Sequence, residues 1–293
     1  MFWAVPATTS RLCVLALEHG IEPEYVRELI RRRAVRPDPA PIELEAWPWK
    51  LKLHTLGRFA IERGGEELTS TGKAKQMPLR LLKVVIAGGG RGVSQEMLTA
   101  ALWPDTDGDA ARRVFDTTLH RLRRLLGEED AIRLHDGRLT LDHRAWWVDL
   151  WALEHALDRA TAARQDPASA GAAVQRVLAL YRGPFLAGED PPLCARAREK
   201  IHRRVLRSLT SAGGLWEGAR DMERAAELYQ AGLEIDDLAE PLYQGLMRCH
   251  RQRGQRGEAL LAYDRCRKAL RDSLGIEPSP ATRALLEGLV GAV

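Results

Sequence analysis

A short segment near the middle of the chain concentrates positive charge. Between residues 112 and 126 there are five arginines and a single acid, Asp116, a net charge of +4. The whole chain has the same net charge, from 44 basic and 40 acidic residues. Such a local basic patch is typical of a surface that binds a polyanion, although a solvated helix face is the alternative. The arginines are Arg112, Arg113, Arg121, Arg123 and Arg124.

The spacing in this segment predicts an amphipathic helix over residues 110–126. At about 100° per residue, its apolar residues form one stripe that would pack on the domain. The opposite face carries side chains suited to the DNA major groove, because arginine can donate two hydrogen bonds to guanine and threonine can contact a base edge or a thymine methyl group. The stripe consists of Phe115, Leu119, Leu122 and Leu126. The opposite face consists of Arg113, Thr117, His120 and Arg124, with Arg121 beside them.

The other polar residues of this helix have different expected roles. His120 and the remaining arginines, Arg112 and Arg123, suit contacts with phosphates. Asp116 lies at the side of the helix, where it either forms an ion pair with Arg112 or Arg113 or accepts a hydrogen bond from a cytosine. Of these alternatives, we expect the ion pair.

A predicted hairpin follows the helix at residues 132–141. Two alternating runs are joined by Asp136 and Gly137, a dipeptide that favours a tight turn between antiparallel strands. Arg138 comes directly after this turn. There an arginine can enter the DNA minor groove, or it is only an exposed turn residue.

The order of elements around this helix predicts a winged helix-turn-helix over residues 50–146. Alternation of apolar and polar residues indicates strands, and a spacing of three to four indicates helices. Ser94 is expected to cap the second helix. The predicted elements are strands at 51–55 and 66–68, helices at 78–87, 95–103 and 110–126, and the hairpin at 132–141.

Residues 1–49 precede this domain. Two short helices are predicted over residues 1–36, one at 10–20 with its apolar side formed by Leu12, Leu15 and Ala16, and one at 23–33. Tyr25, Val26, Leu29 and Ile30 give the second helix its spacing. Four prolines then mark a linker at 37–49. We expect Trp47 and Trp49 to anchor its end onto the next domain.

From residue 147 onward the chain is predicted to be almost wholly helical. Helices are expected at 150–163, 168–181 and 194–212. A shift of about 34 residues, the period of tetratricopeptide helix pairs, superposes Ala225 on Ala259, Leu228 on Ala262 and Tyr229 on Tyr263. Such helix pairs bury their apolar faces by stacking. The predicted fold class is therefore mainly α with a small β component, a winged helix followed by a tetratricopeptide-like domain over residues 147–293.

Several function classes lack support in the sequence. No apolar run of about 18 residues could span a membrane. The four cysteines are far apart, which favours a reducing compartment, and we expect a cytoplasmic, nucleoid-associated protein. Residues 88–92, GGGRG, lack the spacing of a phosphate-binding loop, and the eight histidines contain no metalloprotease pair. We therefore expect no enzyme activity, no catalytic residue, no cofactor and no metal.

Four segments resemble the Streptomyces antibiotic regulatory protein type of transcription activator. They are LGRFAIERGGEEL, ALWPDTDGDAARRVFDTTLHRLRRLLG, DGRLTLD and LGIEPSPATRALLEGL. The resemblance implies an OmpR-type winged helix, with helix 110–126 in the major groove and hairpin 132–141 as the wing on the minor groove, followed by a bacterial transcriptional activator domain. Carried over by position, the DNA contacts are Arg113, Thr117, His120, Arg121 and Arg124. Residues 1–49 resemble a junction in longer regulators, so we expect a C-terminal part of a larger protein or a short natural form.

The resemblance also implies partners. They are double-stranded promoter DNA, often at direct repeats, and RNA polymerase. The helical repeats are expected to offer a docking surface for another protein, a second copy of the chain or a small-molecule effector. The alternative is a helical-repeat scaffold whose winged helix docks protein rather than DNA, and an apolar, arginine-poor helix face would favour it.

Overall fold

The computed structural model describes residues 6–68, 73–163 and 165–290. It divides into two compact units. The first consists of Met1–His155 and Leu180–Lys200, and the second of Ala156–Ala179 and Ile201–Val293. Each unit has its own buried core.

The first unit begins with two helices, α1 (Pro6–Glu18) and α2 (Pro23–Arg33), which pack on each other. The predicted inward face of α1 is wrong, because Leu12 and Leu15 are 51% and 41% exposed while Cys13 and Leu17 are buried. Residues 12–17 are apolar throughout, so periodicity could not select a face. In α2, Val26 and Ile30 are buried as expected.

The proline-rich segment that follows contains neither helix nor strand in the structure. Trp47 and Trp49 are both buried, as the linker prediction requires. The indole Nε1 of Trp49 donates to the carbonyl of Leu44 (2.9 Å), and the guanidinium Nε of Arg27 donates to the carbonyl of Ala46 (3.0 Å). The segment is therefore held in place by side chains rather than by regular structure.

A small antiparallel sheet opens the winged-helix region. Its strands are β1 (Leu51–His54), β2 (Ala60–Arg63) and β3 (Glu66–Glu67). Leu53 pairs with Ile61, and the turn between β2 and β3 is formed by Gly64 and Gly65, which both have positive φ. The predicted strand and glycine turn are confirmed.

Three helices then build the helix-turn-helix. They are α3 (Lys73–Ala87), α4 (Gln95–Leu102) and α5 (Gly108–Leu126), with a short strand β4 (Val93–Ser94) between the first two. Ser94 caps α4 as predicted, since its Oγ accepts from the amide of Met97. The predicted start of α3 at Pro78 is wrong, because the helix begins at Lys73 and contains the proline. A proline in a helix interior removes one hydrogen bond and its ring clashes with the carbonyl four residues earlier, which is why the sequence favoured a start at Pro78.

The hairpin follows as strands β5 (Ile132–His135) and β6 (Arg138–Leu141). Asp136 and Gly137 have φ of 47° and 67°, the left-handed conformation that a tight hairpin turn requires. β4 also pairs with β6, which gives a three-stranded sheet in the order β4-β6-β5. The predicted wing is confirmed, and it rests directly on the turn before α4.

One strand, before the first predicted helix of the helical domain, was not predicted. β7 (Trp146–Val148) runs parallel to β1 and completes a sheet in the order β3-β2-β1-β7. All three of its residues are buried, and a short fully apolar run does not distinguish strand from helix. Next to it, the buried Asp149 carboxylate accepts from the backbone amides of Thr55 (2.6 Å) and Leu56 (2.9 Å). Burial raises the pKa of Asp149, and these hydrogen bonds oppose the rise.

Residues 180–200 return to the first unit. The amide of Leu186 donates to the carbonyl of Thr55 (2.9 Å), and the amide of Gly57 donates to that of Pro184 (3.2 Å). Gly57 has φ of 84°, and a Cβ there would lie 2.8 Å from the carbonyl oxygen of Arg182. Only glycine allows this close approach without displacement of the backbone.

The remaining helices confirm the predicted repeat. Ala225 and Ala259 are both 0% exposed, and the equivalent tyrosines Tyr229 and Tyr263 are also buried. The three helices α9 (Met222–Ile235), α10 (Glu240–Gln252) and α11 (Arg256–Leu274) pack on one another in sequence, as stacked helix pairs do. The others are α6 (Asp149–Ala162), α7 (Pro167–Leu180), α8 (Pro192–Gly218) and α12 (Pro280–Val290).

A polar network lies within this helical unit. The Tyr229 hydroxyl donates to Glu217, and the guanidinium of Arg248 donates to both oxygens of the same carboxylate (2.9 and 2.8 Å). The Tyr229 ring fits between Gly213 and Gly245, where any Cβ would lie about 2.4 Å from ring carbons. Burial would raise the pKa of Glu217, but the hydrogen bonds from Arg248 and Tyr229 outweigh it and lower the pKa.

The structure confirms a mainly α fold with a small β component, in which a winged helix precedes a tetratricopeptide-like helical domain. Within the described ranges, no helix has the length and apolar character needed to cross a membrane.

Candidate nucleic-acid interface

Helix α5 is fixed to its domain by the predicted apolar stripe. Phe115, Leu122 and Leu126 are 0% exposed, and Leu119 is 3% exposed. α3 packs along this side of the helix. Gly127, with φ of 69°, ends the helix one residue after the stripe. The apolar stripe predicted from the sequence is therefore the side of α5 that packs on the domain, and it sets the orientation of the helix.

The opposite face of α5 is open. All of the predicted contact residues there are exposed: Arg112, Arg113, Thr117, His120, Arg121 and Arg124. Over the part of the chain that the structure describes, the guanidinium groups of Arg112, Arg113, Arg121 and Arg124 form neither a hydrogen bond nor an ion pair. The Thr117 hydroxyl donates to the carbonyl of Arg113 (2.9 Å), a common bond within a helix. These six exposed residues, called the basic face below, include four arginines that have no counter-ion in the part of the chain that the structure describes.

Arg123 has a different environment from the other arginines of α5. It is partly buried, and its guanidinium donates from Nε (3.2 Å) and from Nη2 (3.0 Å) to the carbonyl of Ile132. Ile132 is the first residue of β5. The side chain predicted to contact phosphate therefore links α5 to the wing in this structure.

Arg138 lies on the exposed surface of the wing, but its guanidinium folds back from the tip. Its Nη1 donates to the carbonyl of Gly92 (3.0 Å), which precedes β4. The tip itself carries His135 and Asp136, whose side chains approach within 3.2 Å and are both exposed. The sequence could not indicate this because Gly92 is distant from Arg138 along the chain.

The ion pair expected between Asp116 and Arg112 or Arg113 is wrong. Asp116 is exposed, and among the described residues its carboxylate has no cationic partner within 4 Å. Pairs with the base on the N-terminal side of the acid are weaker than pairs in the reverse order, and an exposed pair gains little in water. Asp116 is thus available on the surface of α5.

Val114 is a residue that the sequence reasoning missed. It is 40% exposed and lies one turn before Thr117 on α5, beside the basic face. A search for polar side chains passed over it, although its position on the helix excludes it from the buried stripe. An exposed apolar group here can contact a thymine methyl group.

Two grooves flank α5. One, of about 570 Å³, lies between α5 and the wing. The other, of about 530 Å³, lies between α4, the start of α5 and the tip of the wing. The first is lined by His120, Arg123, Arg124, Arg133 and His135 together with the acids Glu129 and Asp130. The second includes Gln95, Thr99, Arg112 and Arg138. Within the described ranges, no group of three His, Cys, Asp or Glu side chains is arranged to hold a metal ion.

The helices after the winged helix match a known family model. Residues 148–289 match the model described as the bacterial transcriptional activator domain. This part of the chain is therefore similar to bacterial transcriptional activator domains. The match begins within β7, beside the predicted boundary at residues 146–147, whereas the first compact unit continues to His155. The exact domain limits remain a prediction.

Two curated relatives with similar sequences are named as regulatory proteins. The chain is 27% identical over 245 residues to regulatory protein AfsR of Streptomyces griseus. It is 28% identical over 246 residues to regulatory protein AfsR of Streptomyces coelicolor. Each alignment covers 83% of this chain, which spans about a quarter of the length of these relatives (25% and 24%). The resemblance to regulators of the Streptomyces antibiotic regulatory protein type is confirmed.

A solved structure has the same fold. It is that of Mycobacterium tuberculosis EmbR in complex with a low-affinity phosphopeptide, at 21% identity and a TM-score of 0.64. The alignment covers 83% of this chain and 65% of that one. The activator domain and the preceding winged helix therefore occur together in a known architecture.

Proposed function

We propose that this chain is a sequence-specific regulator that binds double-stranded DNA through α5 in the major groove. The observation that carries the proposal is the basic face, where four arginines have no counter-ion within the described ranges while the apolar side of the helix is buried. A helix fits the width of the major groove, and free guanidinium groups match both guanine edges and phosphates.

The exposed side chains divide by chemistry. Arg113, Arg121 and Arg124 are assigned to guanines, and Thr117 to a thymine methyl group or a base edge. His120 and Arg112 are assigned to phosphates. Each bidentate contact with guanine contributes about 1–3 kcal/mol of discrimination against other bases.

The wing provides a second contact region. β5 and β6 present Arg138 and His135 beside the grooves that flank α5, and the flexible arginine can leave Gly92 to enter a narrow minor groove. Arg123 has a positioning role, because its two hydrogen bonds to Ile132 hold the wing at a fixed distance from α5.

Charge distinguishes DNA from protein as the ligand of this face. Arginine occupies most of the exposed positions of the basic face, and among the described residues these guanidinium groups have no carboxylate partner. Such a concentration of positive charge on one helix face attracts a polyanion. The partner best matched is therefore a polyanion.

The helical domain is proposed to activate transcription by recruiting RNA polymerase. The support is the match of residues 148–289 to the activator domain and the similarity to AfsR regulatory proteins. Binding as two copies at direct repeats and response to a small-molecule effector are further parts of this proposal.

The proposal is tested by selection from a randomised duplex pool, followed by mobility-shift titration of the enriched sequence at several salt concentrations. We expect a specific complex whose affinity falls with salt, because arginines displace condensed counterions from phosphates. Transcription by purified RNA polymerase from a promoter carrying that sequence should then rise when the protein is added. Failure to enrich any sequence would count against DNA recognition.

A further inference from the structure

Asp116 is the acidic exception within the arginine-rich segment 112–126. It lies in the middle of α5, about one turn from Arg112 and Arg113 on one side and from His120 on the other. Its side chain is exposed, and no cation among the described residues approaches it closely enough to form an ion pair. Asp116 lies at the side of α5 between Arg112 and His120, so its carboxylate borders the basic face and lies close to the DNA if α5 enters the groove.

We propose that Asp116 determines specificity at one base pair by accepting a hydrogen bond from the N4 amino group of a cytosine. The inference rests on the proposed function and adds a base preference to it. An ionised carboxylate can only accept hydrogen bonds. In the major groove, guanine and thymine present acceptors at their exposed edges, and cytosine presents a donor. Adenine presents a donor beside the N7 acceptor, so it matches a carboxylate less well than cytosine does.

The same carboxylate acts against other sequences. A negative charge close to phosphates weakens binding to every duplex by Coulomb repulsion. At the selected sequence, the hydrogen bond to cytosine offsets part of this cost. At a guanine or thymine, the carboxylate loses its bound water and faces hydrogen-bond acceptors, which repel it. Asp116 therefore disfavours these bases, an effect that arginine, as a donor, does not have. Asp116 therefore gives selectivity at the expense of general affinity.

The test compares the duplexes enriched by the wild-type protein with those enriched by Asp116→Ala and Asp116→Asn. Glu66→Gln serves as the matched control, since Glu66 is an exposed acid on β3, outside α5. For Asp116→Ala, we expect one position to lose its preference for cytosine by about tenfold while affinity for unselected DNA rises. For Asp116→Asn, we expect that position to favour adenine, because an amide pairs with the N6 and N7 atoms of adenine.

The outcomes separate this inference from the function on which it rests. Enriched sequences that are identical for the wild-type protein and Asp116→Ala, with equal discrimination at every position, would overturn the role of Asp116 alone. A loss of the cytosine preference that Glu66→Gln reproduces would show that the preference does not depend on a contact from Asp116 and would likewise overturn it. A wild-type protein that enriches no sequence would overturn the proposed function and this inference with it.

Discussion

The arginines of α5 and those of the helical unit have opposite surroundings. On the basic face, Arg113, Arg121 and Arg124 have no carboxylate partner among the described residues. In the helical unit, Arg248 is held by Glu217, and further arginines pair with nearby acids, as in Arg204–Asp158, Arg253–Glu223 and Arg267–Asp264. Arginine thus stabilises the buried network around Glu217, whereas on the basic face it leaves positive charge available for a ligand.

The difference has an energetic basis. Glu217 is largely buried, so a missing guanidinium would leave a desolvated carboxylate, and such a loss is costly. On α5 the guanidinium groups are solvated, and removing one leaves nothing uncompensated in the free protein. The comparison predicts that substitutions in the helical unit change stability and that substitutions on the basic face change binding.

The largest expected effect is on DNA binding by the double variant Arg121→Ala and Arg124→Ala. At about 1–3 kcal/mol for each bidentate contact, affinity for the enriched sequence should fall about 100-fold or more. Affinity for unselected DNA should fall less, and the free energy of unfolding should not change. Fluorescence anisotropy and denaturant titration measure the two quantities. Equal losses on both kinds of DNA would reassign these arginines to phosphates.

The corresponding control lies in the helical unit. Arg224→Ala with Arg267→Ala removes the same charge from two exposed arginines that pair with acids one turn away. We expect DNA affinity to change less than twofold. A loss as large as that of the α5 double variant would mean that net charge, rather than the basic face, governs binding.

The second effect is on stability. Arg248→Met keeps the aliphatic stem but removes the two hydrogen bonds that Arg248 donates to the Glu217 carboxylate. The free energy of unfolding should therefore fall by about 2 kcal/mol. DNA affinity of the folded protein should be unchanged. Arg267→Met, at an exposed pair, should cost less than about 0.5 kcal/mol. Equal costs for the two substitutions, measured in urea, would remove the distinction between the buried and exposed pairs.

A third comparison lies within α5. Arg123→Ala removes two hydrogen bonds to Ile132 and should lower the free energy of unfolding by about 1 kcal/mol, together with weaker DNA binding. Arg112→Ala, on the same helix but without a partner among the described residues, should weaken DNA binding and leave stability unchanged. Urea titration and anisotropy of both variants test this. If Arg123→Ala changed neither stability nor DNA binding, the hydrogen bonds from Arg123 to Ile132 would not be needed to position the wing.

The smallest effect is a pH dependence. The folded pKa of Glu217 is lowered below its ordinary value of 4.5, so its stabilising contribution is present above that value and is lost as the pH falls through the folded pKa. Below pH 4.5 the wild-type protein should therefore lose more stability than Arg248→Met does. Urea midpoints measured on both sides of that pH give the comparison, and parallel curves would exclude this role for Glu217.

The sequence predicted most of what positions the basic face. The stripe of Phe115, Leu119 and Leu122, the turn at Asp136 and Gly137, and the tetratricopeptide-like repeat are local patterns, and local patterns survive in the fold. α5 begins at Gly108 rather than at residue 110, and its end at Leu126 is the predicted one.

What the sequence did not predict depends on contacts between distant residues. β7 requires β1 as its partner strand, far away along the chain, and the side of α1 that is buried depends on where α2 packs. The bond from Arg123 to Ile132 and the lack of an ion pair at Asp116 among the described residues depend on side-chain directions that a helical projection does not contain. Periodicity thus identified the basic face of α5. Only the tertiary structure showed which polar residues of the helix are held by the protein and which are exposed.

The central claim is that the basic face of α5 lies in the major groove, and methylation protection with dimethyl sulfate tests it most directly. The reagent attacks guanine N7 in the major groove and adenine N3 in the minor groove. We predict protection of guanine N7 within the enriched sequence, with that protection lost at particular guanines in Arg121→Ala and Arg124→Ala. A specific complex in which every guanine N7 stays reactive would contradict the account.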